Sequence, residues 1–269
     1  PRTRQSRSMS LVATLICNPA APALDSTVLD GVTALLPAAE PARWLDPEIA
    51  ADIAFASDEP VAAIAARLNA AVGDLAIDVV VQPQAARRKR LLLADMDSTI
   101  IGQECIDELA DFAGLKAHVA AITERAMRGE IDFEPALRER VALLKDLPVA
   151  VIEEVLARRI TLTPGAVELV RTMRAHGAYT CLVSGGFTLF TERVAERVGF
   201  QENRANTLLI DNGKLIGRVA EPILGRGAKL AALTDLREAF DLDTIDTLAV
   251  GDGANDLAMI GAAGLGVAY

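Results

Sequence analysis

Histidine is nearly missing from this chain: His118 and His176 are the two among 269 residues. Chemistry built on paired histidines has little to work with here, so acid–base catalysis must fall to carboxylates. Cysteine is as scarce. Cys17, Cys105 and Cys181 are widely spaced with no CxxC pair, which argues against a disulfide framework or a zinc site and fits reduced thiols in the cytoplasm. Aromatic residues make up 4%, too few for a stacking platform on single-stranded nucleic acid. Positive charge is in deficit too. Lys and Arg number 27 against 37 Asp and Glu, and the net charge of -10 repels a phosphate backbone, so no nucleic-acid partner is expected. No apolar run approaches the ~18 residues that cross a bilayer, so no membrane partner is expected either. A small phosphorylated metabolite stays open, because a metal and a few local cations can invert the sign of a pocket.

What is abundant is apolar. Hydrophobic residues reach 51% and charged residues 24%, enough to bury real cores and to exclude disorder. At a prior of roughly 150 residues per domain, the length suits one large domain or two smaller ones. Residues 1–8 are polar and arginine-containing and precede Met9; they are expected to be a non-native leader, with Met9 the natural start. Residues 9–85 hold ten acidic and two basic side chains. Their pattern predicts a strand (Leu11 to Cys17), a helix (Ser26 to Leu36), two extended pieces (Arg43 to Leu45, Ile49 to Phe55), a helix (Glu59 to Val72) and a strand (Ile77 to Val81). That βαββαβ order suggests a small ferredoxin-like, ACT-like α+β module. No ligand motif is visible in it, and a structural or dimerising appendage, giving a homodimer, is its plainer role. Residues 86–90 contain the run Arg87-Arg88-Lys89-Arg90, expected to be a solvated basic linker.

From residue 91 to 269 the pattern is α/β. Leu91 to Ala94, Tyr179 to Val183 and Thr247 to Val250 are short apolar runs, each ending in a polar, loop-forming cluster, as buried parallel strands do. Between the first two lies a helical insert, residues 103–159, with about four helices punctuated by Gly114, Gly129 and Pro148. Placed just after the first strand, it would cover the carboxyl ends of the sheet, where open α/β sheets bind ligands. Leu208 to Val219, with Asp211-Asn212-Gly213 inside it, reads as a hairpin.

The strand ends carry the chemistry. Asp95-Met96-Asp97-Ser98-Thr99 follows the first strand, and Gly251-Asp252-Gly253-Ala254-Asn255-Asp256 follows the third. If the two strands are neighbours, four carboxylates converge. At ~4 Å and an effective dielectric of ~20, each like-charged pair costs about 4 kcal/mol. Protonation of one group, or a hard cation held by oxygen ligands, relieves this, and small Asp side chains suit Mg²⁺. One such cluster is as easily a helix cap and a turn; two at two strand ends are not. Ser184-Gly185-Gly186 offers a hydroxyl and bare N–H groups to an anion, although Ser-Gly-Gly is also an ordinary turn. Lys229 could supply a cation, although a lysine at a helix start is usually surface.

In that order these motifs resemble the haloacid dehalogenase (HAD) superfamily of aspartyl-phosphate phosphatases. The insert extends the match through Glu104-Cys105-Ile106-Asp107-Glu108, Ala126-Met127-Arg128-Gly129, Ile131-Asp132-Phe133-Glu134 and Leu137-Arg138-Glu139-Arg140-Val141. That combination is similar to the phosphoserine phosphatase family and runs from Leu91 to the end of the chain. The resemblance implies a HAD-like Rossmannoid parallel sheet with a helical cap, and hydrolysis of O-phosphoserine as the last step of phosphorylated serine biosynthesis. It implies Asp95 as nucleophile and Asp97 as acid and base. Mg²⁺ would be held by the Asp95 carboxylate, the Asp97 backbone carbonyl and Asp252. Ser184, Gly185, Lys229 and Asn255 would hold the phosphoryl oxygens, with Asp256 in support. Glu104 and Arg140 would read the ammonium and carboxylate of the substrate, and Phe133 and Met127 would close over it. Phe133 and Arg140, seven residues apart, share a helix face with Leu137 and Leu144 nearby. The family usually adds a strand and a helix beyond the segment matching Gly264 to Tyr269. Two alternatives stay open: a receiver-type phosphoacceptor, which lacks a helical lid and a second aspartate placed as Asp97 is, and a related phosphatase or phosphotransferase acting on another phosphorylated metabolite.

Overall fold

Alternating apolar residues organise the first unit. The computed structural model describes residues 9–269 other than 86, 129 and 226, without the side chain of Met127. The chain divides into two compact units between Arg87 and Arg88. In the first, β1 (Met9–Cys17), α1 (Ser26–Thr33), β2 (Arg43–Asp46), β3 (Ala50–Ser57), α2 (Val61–Val72) and β4 (Ile77–Pro83) follow one another. The strands form one antiparallel sheet in the order β2-β3-β1-β4, the ferredoxin-like arrangement. Leu11, Ala13, Leu15 and Cys17, two residues apart on β1, share a core with Leu29 and Val32 of α1 and with Ile64, Leu68 and Val72 of α2. Asp25 caps α1 by accepting the Val28 N–H at 2.8 Å.

Behind that core, on the other face of β1, Thr14 stands opposite Asp52 of β3 and donates to its carboxylate at 2.8 Å. Asp52 is 4% exposed, and a carboxylate so buried needs cationic partners. Arg43 reaches it at 2.9 Å and Arg87 at 2.6 Å, with a further Arg87 bond to Thr14 at 3.1 Å. The basic run is therefore not simply solvated: its first arginine is folded into the sheet, and Lys89 donates to the Ile245 carbonyl at 2.8 Å.

The second unit opens on β5 (Leu91–Ala94), a π-type turn over Met96–Ile100, and four helices: α3 (Cys105–Phe112), α4 (Lys116–Met127), α5 (Phe133–Leu143) and α6 (Ala150–Arg158). Then come α7 (Ala166–Ala175), β6 (Tyr179–Phe187), α8 (Thr188–Val198), β7 (Glu202–Asn206), the hairpin β8 (Leu208–Asp211) and β9 (Lys214–Val219), α9 (Ala228–Ala239), β10 (Thr247–Gly251), α10 (Leu257–Ala262) and β11 (Leu265–Ala268). β11-β10-β5-β6-β7 form one parallel sheet. The central strand has no polar face. Leu92 and Ala94 enter the core shared with α3, α5 and α6 of the insert, while Leu91 and Leu93 enter a second core against α9 and α10. Each buried leucine contributes about 1.5–3 kcal/mol relative to exposure, which is why an unbroken apolar run settles at the sheet centre. Asn212 (φ 48) and Gly213 (φ 74) turn the hairpin with two left-handed residues, as an Asn-Gly turn requires.

Two strands escaped the sequence pattern. β7 is mostly polar (Glu-Asn-Arg-Ala-Asn) at one sheet edge, and β11, within the matched segment Gly264 to Tyr269, pairs with β10 at the other.

Candidate active site

The parallel register brings the end of β5 beside the end of β10, so Asp95 and the Gly251–Asp256 loop meet. The Asp95 N–H donates to the Val250 carbonyl at 3.0 Å, and its Oδ1 accepts the Met96 N–H at 2.7 Å. Its Oδ2 lies 2.8 Å from Lys229 Nζ, which also lies 2.6 Å from Asp256 Oδ1. The second oxygen of Asp256 accepts the Gly253 N–H at 3.0 Å. Asp95, Lys229 and Asp256 are each 5% exposed or less. Burial raises the Asp95 carboxyl above the usual carboxylate range; Lys229 opposes this, and Asp256 and Asp97 add to it. Gly251 is required by this packing, because a Cβ there would come within 2.3 Å of Asp256 Cγ.

Three carboxylates, those of Asp95, Asp252 and Asp256, bring oxygens within 4.8 Å of one another. The expected fourth is turned aside. Asp97 Oδ1 accepts the Cys105 N–H at 3.0 Å, and its Oδ2 accepts the Ser184 hydroxyl at 3.2 Å. Withdrawal from water pushes Asp97 up, and those two hydrogen bonds hold it back. The physical reason lies in the π-type turn, where Asp97 is extended (φ -65) and Ser98 left-handed (φ 55), so Asp95 and Asp97 point to different walls of one crevice. The trio of hard oxygen donors, with one lysine among them, keeps an excess of negative charge and fits a hard divalent cation.

Ser184, near the end of β6, is 2% exposed, and its Oγ accepts the Gly186 N–H at 2.8 Å. A Cβ on Gly186 would lie 2.9 Å from Asp97 Oδ2, so the second glycine makes room for that carboxylate. A cavity of about 420 Å³ opens above, within the usual range for a small-molecule site. Asp95, Asp97, Asp252, Asn255, Gly185 and Gly186 line its floor, and Glu104, Phe133, Leu137 and Arg140 come from the inserted helices. Ser184 and Lys229 line an adjoining recess that shares Phe133, Gly185 and Asn255 with the cavity. Partial withdrawal from water raises Glu104, as do Asp97 and Asp107, while Ser98 donates to its Oε1 at 2.6 Å. Burial lowers Arg140, and Asp107 and Glu104 counter it; its guanidinium keeps its charge.

Of the residues singled out from the sequence, Met127 lies outside the described side chains; the others line the cavity or recess, apart from Asp256, which lies buried behind Lys229. Sequence reasoning missed Ile106 and Thr123 in the cavity wall, and Thr99, whose Oγ1 donates to Asp252 Oδ1 at 2.8 Å. Thr123 stands four residues before Met127, a helical spacing that offered a signal. Thr99 had none, since its partner is 153 residues away.

A parallel sheet with aspartates at its strand ends and a helical insert after its first strand defines a class: the chain belongs to the haloacid dehalogenase-like hydrolases, whose family profile matches residues 92–261. Within that class, the phosphoserine phosphatase of Archaeoglobus fulgidus is 46% identical over 205 residues, covering 76% of this chain and 59% of its own length. This chain thus spans about three-fifths of that relative. A solved phospho-aspartyl intermediate analogue of phosphoserine phosphatase is 41% identical, with a TM-score of 0.62 over 68% of this chain and 87% of that one. A HAD family hydrolase of Salmonella enterica serovar Typhi superposes with a TM-score of 0.83 at 28% identity, over 96% of this chain and 89% of its own. Among the described residues, no helix is long and apolar enough to cross a membrane.

Proposed function

We propose that this chain hydrolyses O-phospho-L-serine to L-serine and inorganic phosphate, with Mg²⁺ as cofactor. The observation that carries the reading is one cavity lined both by Asp95 and Asp97 and by an acid and a base from the insert, Glu104 and Arg140. An Asp95 oxygen attacks phosphorus in line, and the bond from phosphorus to the seryl oxygen breaks. Asp97 carries the proton that the leaving alkoxide needs, consistent with its raised pKa, and gives it up as that bond breaks. Water then attacks the aspartyl-phosphate, losing a proton to the Asp97 carboxylate, and Asp95 is released. Lys229, Ser184, the Gly185 N–H and Asn255 hold phosphoryl oxygens, and Asp256 orients Lys229. Mg²⁺ bound by the Asp95 carboxylate, the Asp97 carbonyl and Asp252 would offset charge on the transferring group.

Arg140 and Glu104 suit the carboxylate and ammonium of an amino acid, and a Cβ added to Gly185 would lie 3.4 Å from the Phe133 ring, which stands where a lid residue would lie. In this reading residues 9–85 form an ACT-like module that serves as a structural or dimerising appendage, residues 86–90 join it to the phosphatase domain of residues 91–269, and the enzyme works in the cytoplasm. A phosphate-release screen over phosphorylated amino acids and sugars, with Mg²⁺ and with chelator, tests the proposal. Release from phosphoserine that needs Mg²⁺ is the expected result. Turnover undiminished in excess chelator, or a preference for a substrate without an amino acid's charges, overturns it.

A further inference from the structure

Asn206 ends β7 and is 2% exposed. A primary amide so far from water must find partners for both its ends. Its Nδ2 donates to the Gly185 carbonyl at 2.9 Å and, more weakly, to the Leu224 carbonyl at 3.4 Å. Its Oδ1 accepts the Leu224 N–H at 2.7 Å. The partners are a carbonyl at one end and an N–H at the other, so the orientation of the amide is determined. Gly185 belongs to the end of β6 that carries Ser184; Leu224 belongs to the segment that leads into α9 and Lys229. One side chain therefore ties together the two segments that line the phosphate recess.

The link reaches the reacting groups through a rigid unit. In a planar trans peptide, the Gly185 carbonyl and the Gly186 N–H point in opposite directions. Holding the carbonyl on Asn206 aims that N–H at Ser184 Oγ, which it meets at 2.8 Å. With its lone pair so engaged, the Ser184 hydroxyl directs its proton to Asp97 Oδ2 at 3.2 Å. We propose that Asn206 is a positioning residue for the phosphate recess, setting the orientation of the Ser184–Gly186 end of β6 and its spacing from the Lys229 segment. The inference rests on the phosphatase reading above. It adds that this residue acts on every phosphate ester alike, since its hydrogen bonds go to Gly185 and Leu224 and not to Glu104 or Arg140.

The test compares wild type with Asn206→Ala and with Asn206→Ser, the milder of the two. Each is assayed at a temperature where circular dichroism shows the variant folded. Three quantities are read: kcat/KM on phosphoserine, kcat/KM on an aryl phosphate, and the inhibition constant of inorganic phosphate. A strand end misplaced by about an ångström should lower both kcat/KM values by the same factor, roughly 10- to 100-fold, and weaken phosphate inhibition in parallel. A purely structural asparagine would lower the melting temperature but leave the phosphate inhibition constant and KM of the folded enzyme within twofold of wild type, and that result overturns the proposal. Unequal losses on the two esters also overturn it. If wild type itself releases no phosphate from either ester, the phosphatase reading fails first and takes this inference with it, an outcome distinct from both.

Discussion

The floor and the roof of the cavity are built by opposite means. On the floor, Asp95, Lys229, Asp256 and Ser184 sit at ends of parallel strands or at the starts of α9 and α10, almost wholly buried, each held by hydrogen bonds or ion pairs at 2.6–3.2 Å. On the roof, Glu104, Phe133 and Arg140 stand on or beside helices of an insert, with part of their surface still reaching the cavity. Side chains locked in a sheet suit steps common to every phosphate ester, where small displacements are costly. Side chains on an insert can differ without disturbing those steps, which is why the proposed function assigns selectivity to them.

The comparison breaks most completely at the nucleophile. Asp95→Asn should abolish turnover of every ester and leave no phosphoenzyme, measured with ³²P-labelled substrate after acid quench. A labelled protein adduct in that variant would move the nucleophile elsewhere. Next comes Asp97→Asn, which keeps the shape but cannot donate or take the proton. Phosphoserine turnover should fall by about 10²–10⁴-fold, while an activated aryl phosphate, whose leaving group needs no proton, should still load Asp95. Accumulation of an acid-stable phosphoenzyme by rapid quench checks it; equal loss of loading on both esters would deny Asp97 its separate role.

The roof should respond by substrate rather than across the board. Arg140→Ala and Glu104→Gln should each reduce kcat/KM on phosphoserine by roughly 10- to 150-fold, as expected for one charged contact. An aryl phosphate, with neither carboxylate nor ammonium, should stay within about threefold of wild type. Equal losses on both would make Arg140 a packing residue of α5. A finer probe of the floor is Thr99→Val, which removes the hydroxyl from Asp252. It should raise the Mg²⁺ concentration needed for half-maximal activity by roughly tenfold and leave activity at saturating Mg²⁺ near wild type; Thr99→Ser should restore the original requirement.

The smallest effect is expected from thiol chemistry. Burial raises Cys105, at the start of the insert, and pushes Cys181, on β6, up to about 12. At pH 8 neither holds appreciable thiolate, the reactive form. Iodoacetamide at that pH should leave both unmodified by mass spectrometry and activity unchanged; alkylation of either in the folded protein would contradict the packing of both halves of the site.

Why some of this was legible before the structure is clear from particular residues. The run Leu91 to Ala94 is apolar without alternation, so it had to be a strand covered on both faces, and the aspartates that follow had to lie at a sheet end. β7 gave no such signal, because an edge strand with one solvated side tolerates Glu202, Asn203 and Arg204, and its pattern is that of a loop. Arg87 read as solvated because a run of four basic residues usually is; Asp52, the buried carboxylate that captures it, lies 35 residues earlier.

By itself, the order of residues determined the strand runs, the insert between the first two of them, and the chemical types gathered at the strand ends, since these follow from local periodicity and contiguity. Only the tertiary structure decided which groups share a hydrogen bond: that Asp97 turns from the other carboxylates toward Cys105 and Ser184, that Thr99 holds Asp252, and that Asn206 joins the end of β6 to the segment before α9. Those pairings depend on register and burial between segments far apart in the chain, where a buried polar group bonds to whatever partner the folded backbone brings within about 3 Å, and no local pattern carries that distance.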